Sequence, residues 1–158
     1  MEYQIELKTL PAQPAVSLRA VTPTTQIGAT LERLLNQAVE CLGQSSLAQT
    51  ATPFVRYHET HGSQVELEAG LVLPQDAALA PGQVRAPAAQ VELPGGPAVV
   101  TWHMGPYDAL RNAYRALGMW LKDHGKQMAA PPWEKYWTDP EQEPNPQAWR
   151  TEVIWPVR

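Results

Sequence analysis

The sequence predicts an α+β fold in which a strand–helix–strand–strand unit occurs twice, the copies related by a pseudo-twofold axis. Two amphipathic helix patterns each end at a glycine, Gly43 and Gly125, and two strand-like runs follow each of them. Prolines recur at offsets of 79 to 83 positions, with 83 between Pro14 and Pro97. Because such a unit cannot bury its helix stripe alone, we expect antiparallel sheets that join or face each other across a central ligand groove, with the two main helices outside.

The first half contains two strand-like runs, a helix and two further strands. The helix is predicted because apolar residues recur at three- and four-residue spacing, and Gly43 provides its end. A hairpin turn at residues 61–63 joins the last two strands. In order, these elements are residues 3–7, 15–21, 27–42, 54–58 and 65–73.

The second half repeats the pattern after a segment rich in alanine, proline and glycine, which carries one modest strand at residues 90–93. The repeat then consists of a strand, a helix and two strands, at residues 98–103, 110–121, 133–138 and 150–157. We therefore interpret residues 1–158 as a single domain. It has a first half of about 1–74, a linker and strand at 75–96, and a second half of about 97–158.

Charge and composition exclude several classes of protein. Acidic residues number 16 and basic residues 12, which gives a net charge of −4, the wrong sign for a protein that binds nucleic acid or an anionic membrane surface. No apolar run approaches the ~18 residues of a membrane span, and the first residues do not resemble a secretory signal. The expected location is the cytoplasm.

No metal or cofactor is expected. Cys41 is the single cysteine, so an internal disulfide is excluded. His58 and His61 are spaced as His-x-x-His across a strand end and a turn, without the His-Glu-x-x-His pattern of zinc enzymes and without a third ligand nearby.

The strongest candidate for a binding residue is a carboxylate on the strand that begins at Trp133. Alternation places Glu134 and Tyr136 on one face, and Trp133, Lys135 and Trp137 on the other. A carboxylate among aromatic rings is costly unless it finds a partner. That partner is either a cationic ligand, with cation–π attraction from the rings, or a nearby Lys or Arg that pairs with an ordinary exposed glutamate.

Two further ring-bearing residues are candidates for the same groove. Tyr57 is the repeat equivalent of Tyr136, and Val55 is the equivalent of Glu134. A sheet tyrosine at the rim is the alternative interpretation of Tyr57. Trp102 and His103 end a strand, so one faces the groove and the other the helix; we choose Trp102 for the groove.

Three segments resemble the GyrI-like small-molecule-binding family, which includes effector-binding domains of multidrug-responsive bacterial transcription activators. These are LPGGPAVV at 93–100, HMGPY at 103–107 and WEKYWTDP at 133–140, and the resemblance covers almost the whole chain. It implies a concave double-sheet body with an open cavity. It also implies that Glu134, with Tyr136 two residues on, attracts cationic, lipophilic, aromatic ligands.

The chain departs from the family pattern in two ways. Thr22-Pro23-Thr24 stands in the first half where Gly105-Pro106-Tyr107 stands in the second, so one half carries the full signature. The chain also starts directly with the effector-type domain, so we expect no DNA-binding domain and no direct contact with nucleic acid.

Three functions fit these residues. The first is a binding module for drug sensing or sequestration, which holds lipophilic, aromatic, cationic compounds with Glu134, Tyr136, Tyr57 and Trp102. The second is a hydrolase that opens strained electrophilic rings of aromatic natural products, with Glu134 as the general base. The third is a protein-interaction module of the gyrase-inhibitor type, with a protein partner.

Overall fold

A computed structural model describes residues 2–43, 46–77 and 79–158 of the chain. Within these ranges it has eight strands and three α-helices. Strands β1 to β8 are Glu6–Leu10, Gln13–Pro23, Thr52–His61, Gln64–Val72, Ala89–Leu93, Gly96–Met104, Trp133–Tyr136 and Arg150–Pro156. Helices α1, α2 and α3 are Ile27–Leu42, Ser46–Thr50 and Leu110–Asp123.

The chain forms two compact units, and the unit of residues 12–94 contains the first helix. Its strands lie in the order β3-β4-β2-β5, with antiparallel pairing. Helix α1 buries one stripe, which includes Leu34 and Ala38, against β2 and β4. The helix ends at Gly43, whose φ of 78° is a left-handed conformation that favours glycine.

Two strands of this unit approach so closely that no side chain fits between them at one position. A Cβ atom on Gly70 of β4 would lie 1.9 Å from the carbonyl oxygen of Val16 on β2. Glycine at this position is therefore a requirement of the sheet, since a strand glycine permits a close backbone approach.

The other unit combines the residues up to Pro11 with Gly95–Arg158. Its strands lie in the order β1-β6-β8-β7, again antiparallel. Helix α3 covers one face, where Val99 of β6, Leu117 of α3 and Val153 of β8 form a cluster with no exposed surface. Odd-numbered residues of β6 and β8 therefore face the helix, and even-numbered residues face away from it.

The predicted α+β class and the duplicated order of elements are confirmed. The order β2-α1-β3-β4 recurs as β6-α3-β7-β8, with α2 as an addition in the first copy. The sequence interpretation assigned the first strand to the first half, but β1 pairs with β6, in the unit that contains the second half. No helix among the described residues is long and apolar enough to cross a bilayer.

Candidate functional site

The site is built on the face of β7 that α3 covers. Glu134 lies opposite Val153 in the strand register, and Val153 belongs to the cluster under α3. Tyr136, two residues on, shares this face. The predicted division of β7 into a Glu134–Tyr136 face and a Trp133–Lys135 face is therefore the one the structure has.

Glu134 is buried, and both of its carboxylate oxygens accept a hydrogen bond from a tyrosine. Glu134 is 2% exposed. Tyr114 of α3 donates its hydroxyl to Oε1 at 2.7 Å. Tyr136, on the same strand, donates its hydroxyl to Oε2. The carboxylate is thus fixed in position from the helix and from the strand.

Two opposing effects set the ionisation of Glu134. Burial raises the pKa of the carboxyl group above its ordinary value of 4.5, because a low-dielectric surrounding disfavours the charged form. The hydrogen bonds from Tyr136 and Tyr114 lower the pKa, because they favour the carboxylate. Burial is the larger effect, so Glu134 holds its proton to a higher pH than an exposed glutamate.

Three aromatic rings form a series of contacts that begins at Tyr136, which donates to this carboxylate, and we call them the ring cluster: Tyr107, Tyr136 and Trp149. The ring centroids of Tyr107 and Tyr136 are 5.3 Å apart, and those of Tyr107 and Trp149 are 4.8 Å apart. Burial raises the pKa of the Tyr107 phenol, and the charges of Asp139 and Glu134 raise it further. The charge of Glu134 therefore acts on the phenol of Tyr107.

Backbone contacts hold the cluster together. The N–H of Gly105 donates to the carbonyl oxygen of Trp149 at 2.8 Å, which ties the segment before Tyr107 to the start of β8. Gly105 has a φ of 131°, a conformation that favours glycine. The indole N–H of Trp149 donates to the carbonyl oxygen of Glu143 at 2.8 Å.

Trp102 lies on the opposite face of the sheet from Glu134. It is 41% exposed, its ring centroid is 6.0 Å from that of Trp137, and the guanidinium of Arg150 lies 5.7 Å from it. Its neighbour His103 is 1% exposed and faces the helix side. The structure therefore does not bring Trp102 together with Glu134.

Tyr57 lies on β3, opposite Leu67 of β4. It belongs to the unit of residues 12–94, and Glu134 belongs to the other. Val55, the equivalent of Glu134, is fully buried opposite Ala69. A ligand-binding role for Tyr57 stays a prediction.

Sequence reasoning missed three residues of this site: Tyr107, Tyr114 and Trp149. Tyr114 lies on the apolar stripe of the helix predicted at 110–121, where a tyrosine needs a partner for its hydroxyl. That need was the available indication of its contact with Glu134. Trp149 follows a proline-rich loop, and no local pattern connects it to Tyr107.

The two histidines of the His-x-x-His spacing face different carboxylates. His58 Nε2 lies 2.7 Å from Glu68 Oε1, and His61 Nε2 lies 2.9 Å from Glu59 Oε2. Glu68 is 2% exposed and also accepts a hydrogen bond from Ser17 at 2.6 Å. The histidines therefore do not converge on one point.

Comparison with known proteins identifies the family. The model of the GyrI-like small molecule binding domain matches residues 3–158. The chain belongs to the GyrI-like family. A search of curated proteins gives no significant match.

Solved structures agree with this GyrI-like assignment. The crystal structure of the EcmrR C-terminal domain is 28% identical, with a TM-score of 0.75 over 100% of this chain and 99% of that one. EcmrR in its complex with DNA, solved by cryo-electron microscopy, is 27% identical, with a TM-score of 0.77 over 99% of this chain. This GyrI-like chain spans only 57% of the EcmrR chain in that complex.

The protein SAV2435, solved bound to tetraphenylphosphonium, shares the fold of this GyrI-like domain. It is 15% identical, with a TM-score of 0.66 over 100% of this chain and 94% of that one.

Proposed function

We propose that this GyrI-like domain binds lipophilic aromatic cations at Glu134, and that it serves drug sensing or sequestration in the cytoplasm. The observation that carries the proposal is the burial of the Glu134 carboxylate, which is 2% exposed. It accepts hydrogen bonds from two tyrosines, but no Lys, Arg or His among the described residues pairs with its negative charge. Among the residues that the structure describes, the side chains that donate to Glu134 are the neutral phenols of Tyr114 and Tyr136.

A buried carboxylate without a positive partner costs free energy, and an incoming cation recovers part of that cost. Moving an isolated charge out of water is expensive even after the protein relaxes, which is why such groups shift their pKa. A ligand with a positive charge favours the ionised form of Glu134, whereas a neutral ligand does not. The carboxylate therefore selects for charge.

The ring cluster supplies the affinity for the aromatic part of the ligand. Apolar burial contributes about 25 cal/mol per Å² removed from water. A cation against the faces of Tyr107, Tyr136 or Trp149 gains about 0.5–2 kcal/mol more, depending on desolvation. Glu134 favours ligands with a positive charge, and the ring cluster favours ligands with aromatic rings. A lipophilic aromatic cation has both properties.

Binding at Glu134 requires movement of the rings. Because the carboxylate is buried while Tyr107 is 37% exposed, a ligand that reaches Glu134 must first displace Tyr107 or a neighbouring ring. This behaviour suits a sensor, since ligand entry is then coupled to a change in conformation.

Calorimetric titration with tetraphenylphosphonium tests the proposal. This cation is the ligand bound in SAV2435. We expect the parent protein to bind it and Glu134→Gln to bind it at least about tenfold more weakly, a loss of about 1.4 kcal/mol. Neutral triphenylphosphine oxide is the matched ligand, and its affinity should be the same for both proteins.

Glu152→Gln is the matched control variant. Glu152 lies on β8 but on the face away from α3, where it accepts a hydrogen bond from Trp137. This variant removes one negative charge without touching the Glu134 site. Equal cation affinity in the parent and in Glu134→Gln, or an equal loss in Glu152→Gln, would reject the proposal.

Hydrolysis is a second candidate, because a carboxyl group with a raised pKa is suited to act as a general base. Both oxygens of Glu134 already accept from tyrosine hydroxyls, which makes the carboxylate a weaker base, so the geometry favours binding. Product that accumulates beyond the protein concentration, from an electrophilic ring substrate, would favour hydrolysis.

A further inference from the structure

A buried histidine joins the segment that carries Tyr107 to the beginning of the chain. His103, on β6, is 1% exposed. Its Nε2 lies 3.0 Å from the carbonyl oxygen of Pro106, and its Nδ1 lies 2.8 Å from the hydroxyl of Tyr3. The rings of Tyr3 and His103 are also stacked, with centroids 5.9 Å apart.

The two partners determine which ring nitrogen carries the hydrogen. A carbonyl oxygen only accepts hydrogen bonds, so Nε2 of His103 must be the donor to Pro106. In the neutral ring Nδ1 is then an acceptor, and the hydroxyl of Tyr3 donates to it. The Tyr3 hydroxyl therefore stabilises the tautomer that holds Pro106.

Pro106 immediately precedes Tyr107, the central ring of the cluster. Its carbonyl oxygen accepts from His103 and also from the backbone N–H of Ala109, at 3.2 Å. Because this peptide group precedes Tyr107, its position fixes the backbone from which the Tyr107 side chain extends. On the other side, Gly105 is tied to Trp149 through its N–H.

The duplicated unit shows that the fold does not require this histidine. In the copy of residues 12–94, β2 leads through Pro23 into a turn of 3-10 helix and then α1, as β6 leads through Pro106 into Tyr107–Ala109 and α3. In the first copy, Ala20 is the equivalent of His103 and Thr24 is the equivalent of Tyr107, each 83 positions earlier in the sequence. The same connection forms with neither an imidazole nor an aromatic ring.

From this difference we infer that His103, held by Tyr3, is a positioning residue that keeps Tyr107 against Tyr136 and Trp149, and so sets the affinity of the Glu134 site for aromatic ligands. The inference on affinity rests on the proposed function. The inference on the position of Tyr107 does not, because it concerns the ligand-free protein.

The first measurement uses the ligand-free protein. Nuclear Overhauser effects between the rings of Tyr107 and Trp149 report their contact. We expect them in the parent and expect their loss in His103→Phe, which keeps a ring but removes both hydrogen bonds. His103→Gln keeps a donor for Pro106, so the effects should largely return.

The second measurement is a double-mutant cycle on the affinity for tetraphenylphosphonium. His103→Phe should weaken binding by about 3- to 10-fold, the equivalent of the one hydrogen bond that holds Pro106. In a Tyr107→Ala background the same substitution should have no further effect, because His103 acts through Tyr107. A purely structural role would give losses that add.

Thr101→Val is the matched control. Thr101 lies two residues before His103 on the same face, is fully buried, and donates its hydroxyl to the carbonyl oxygen of Gln4 at 2.8 Å. This variant removes a buried hydrogen bond to the same N-terminal segment without touching Pro106. It should keep the ring contact and the affinity.

The outcomes separate the two proposals. Ring contacts that survive in folded His103→Phe, or additive losses in the cycle, overturn the inference. If the ring contacts are lost in His103→Phe and the parent protein binds no cation, the positioning role is supported and the proposed function is rejected. If His103→Phe does not fold, Tyr3→Phe replaces it with the same two measurements, since it removes only the hydroxyl that stabilises the donor tautomer.

Discussion

Tyr114 of α3 and Glu134 of β7 are joined by a hydrogen bond of 2.7 Å between the phenol and Oε1. This bond connects the helix to the sheet next to an apolar cluster that excludes water. It makes a group of the candidate binding site part of the helix–sheet packing, so changes at Glu134 reach α3 directly.

At a pH where Glu134 is ionised, replacement of Tyr114 by phenylalanine should lower the free energy of unfolding by about 1–3 kcal/mol, because the carboxylate loses a charge-assisted donor. Urea unfolding of the parent and the variant measures this difference. In a Glu134→Gln background the cost should fall to about 0.5–1.5 kcal/mol, since the remaining hydrogen bond joins neutral groups. Equal costs in the two backgrounds would show that the charge of Glu134 is not involved.

The raised pKa of Glu134 should make the stability of the protein depend on pH. Because the folded protein holds this proton more tightly than the unfolded chain, the contribution of Glu134 is fully present below pH 4.5 and is lost as the pH rises through the raised pKa. Stability relative to Glu134→Gln should therefore decrease with rising pH above 4.5. Urea unfolding of both proteins from about pH 4 to 8 measures this, and a difference independent of pH contradicts it.

Cation binding should release protons. A cation favours the ionised form of Glu134, so affinity for tetraphenylphosphonium should rise with pH in the range where the free protein deprotonates. Calorimetry in buffers of different ionisation enthalpy counts the protons released. Glu134→Gln should release none, and proton release that persists in this variant would point to another group.

A tryptophan of the ring cluster and a tryptophan on the sheet face away from Glu134 should respond differently to substitution. Trp149→Leu removes a ring that contacts Tyr107 and should weaken tetraphenylphosphonium binding by about 3- to 10-fold, from the loss of an aromatic pair. Trp102→Leu should leave the affinity unchanged, because Trp102 contacts Trp137 on the face away from Glu134. Titration of both variants gives the answer, and a loss in Trp102→Leu would return this residue to the site.

Two glycines of one unit should differ strongly in the effect that alanine has on stability. Gly70→Ala places a Cβ atom against the backbone of Val16, so the variant should lose about 3 kcal/mol or more, or fail to fold. At Gly28, in the first turn of α1, nothing lies within 4 Å of the added atom. Gly28→Ala should be neutral or gain up to about 1 kcal/mol. Thermal unfolding compares the two, and a tolerated Gly70→Ala would mean that β2 and β4 can separate.

Local patterns predicted most of the elements and the two faces of β7. The predicted helix at 27–42 has those bounds, and the helix predicted at 110–121 runs from Leu110 to Asp123. Helical spacing and strand alternation depend only on neighbours in sequence, so one chain contains this information. The face shared by Glu134 and Tyr136 followed from the same alternation.

Contacts between distant segments were beyond these patterns. Alternation predicts which residues of one strand share a face, but it does not relate the faces of two strands to each other or to α3. Whether Trp102 and Glu134 lie on the same side of the sheet was therefore not predictable from the sequence. The pairing of β1 with β6, and the contact of Tyr107 with Trp149, join segments far apart in sequence. Such contacts depend on the packing of the complete unit.

The pairing of β1 with β6 has a consequence for synthesis on the ribosome. Residues 12–94 form a unit that is inserted between β1 and the rest of its own unit. Strand β1 emerges before the inserted unit, yet its partner strand β6 emerges only after the inserted unit has been translated. A nascent chain therefore carries an unpaired strand while residues 12–94 fold, and expression of residues 95–158 alone would produce a sheet with an open edge at β6.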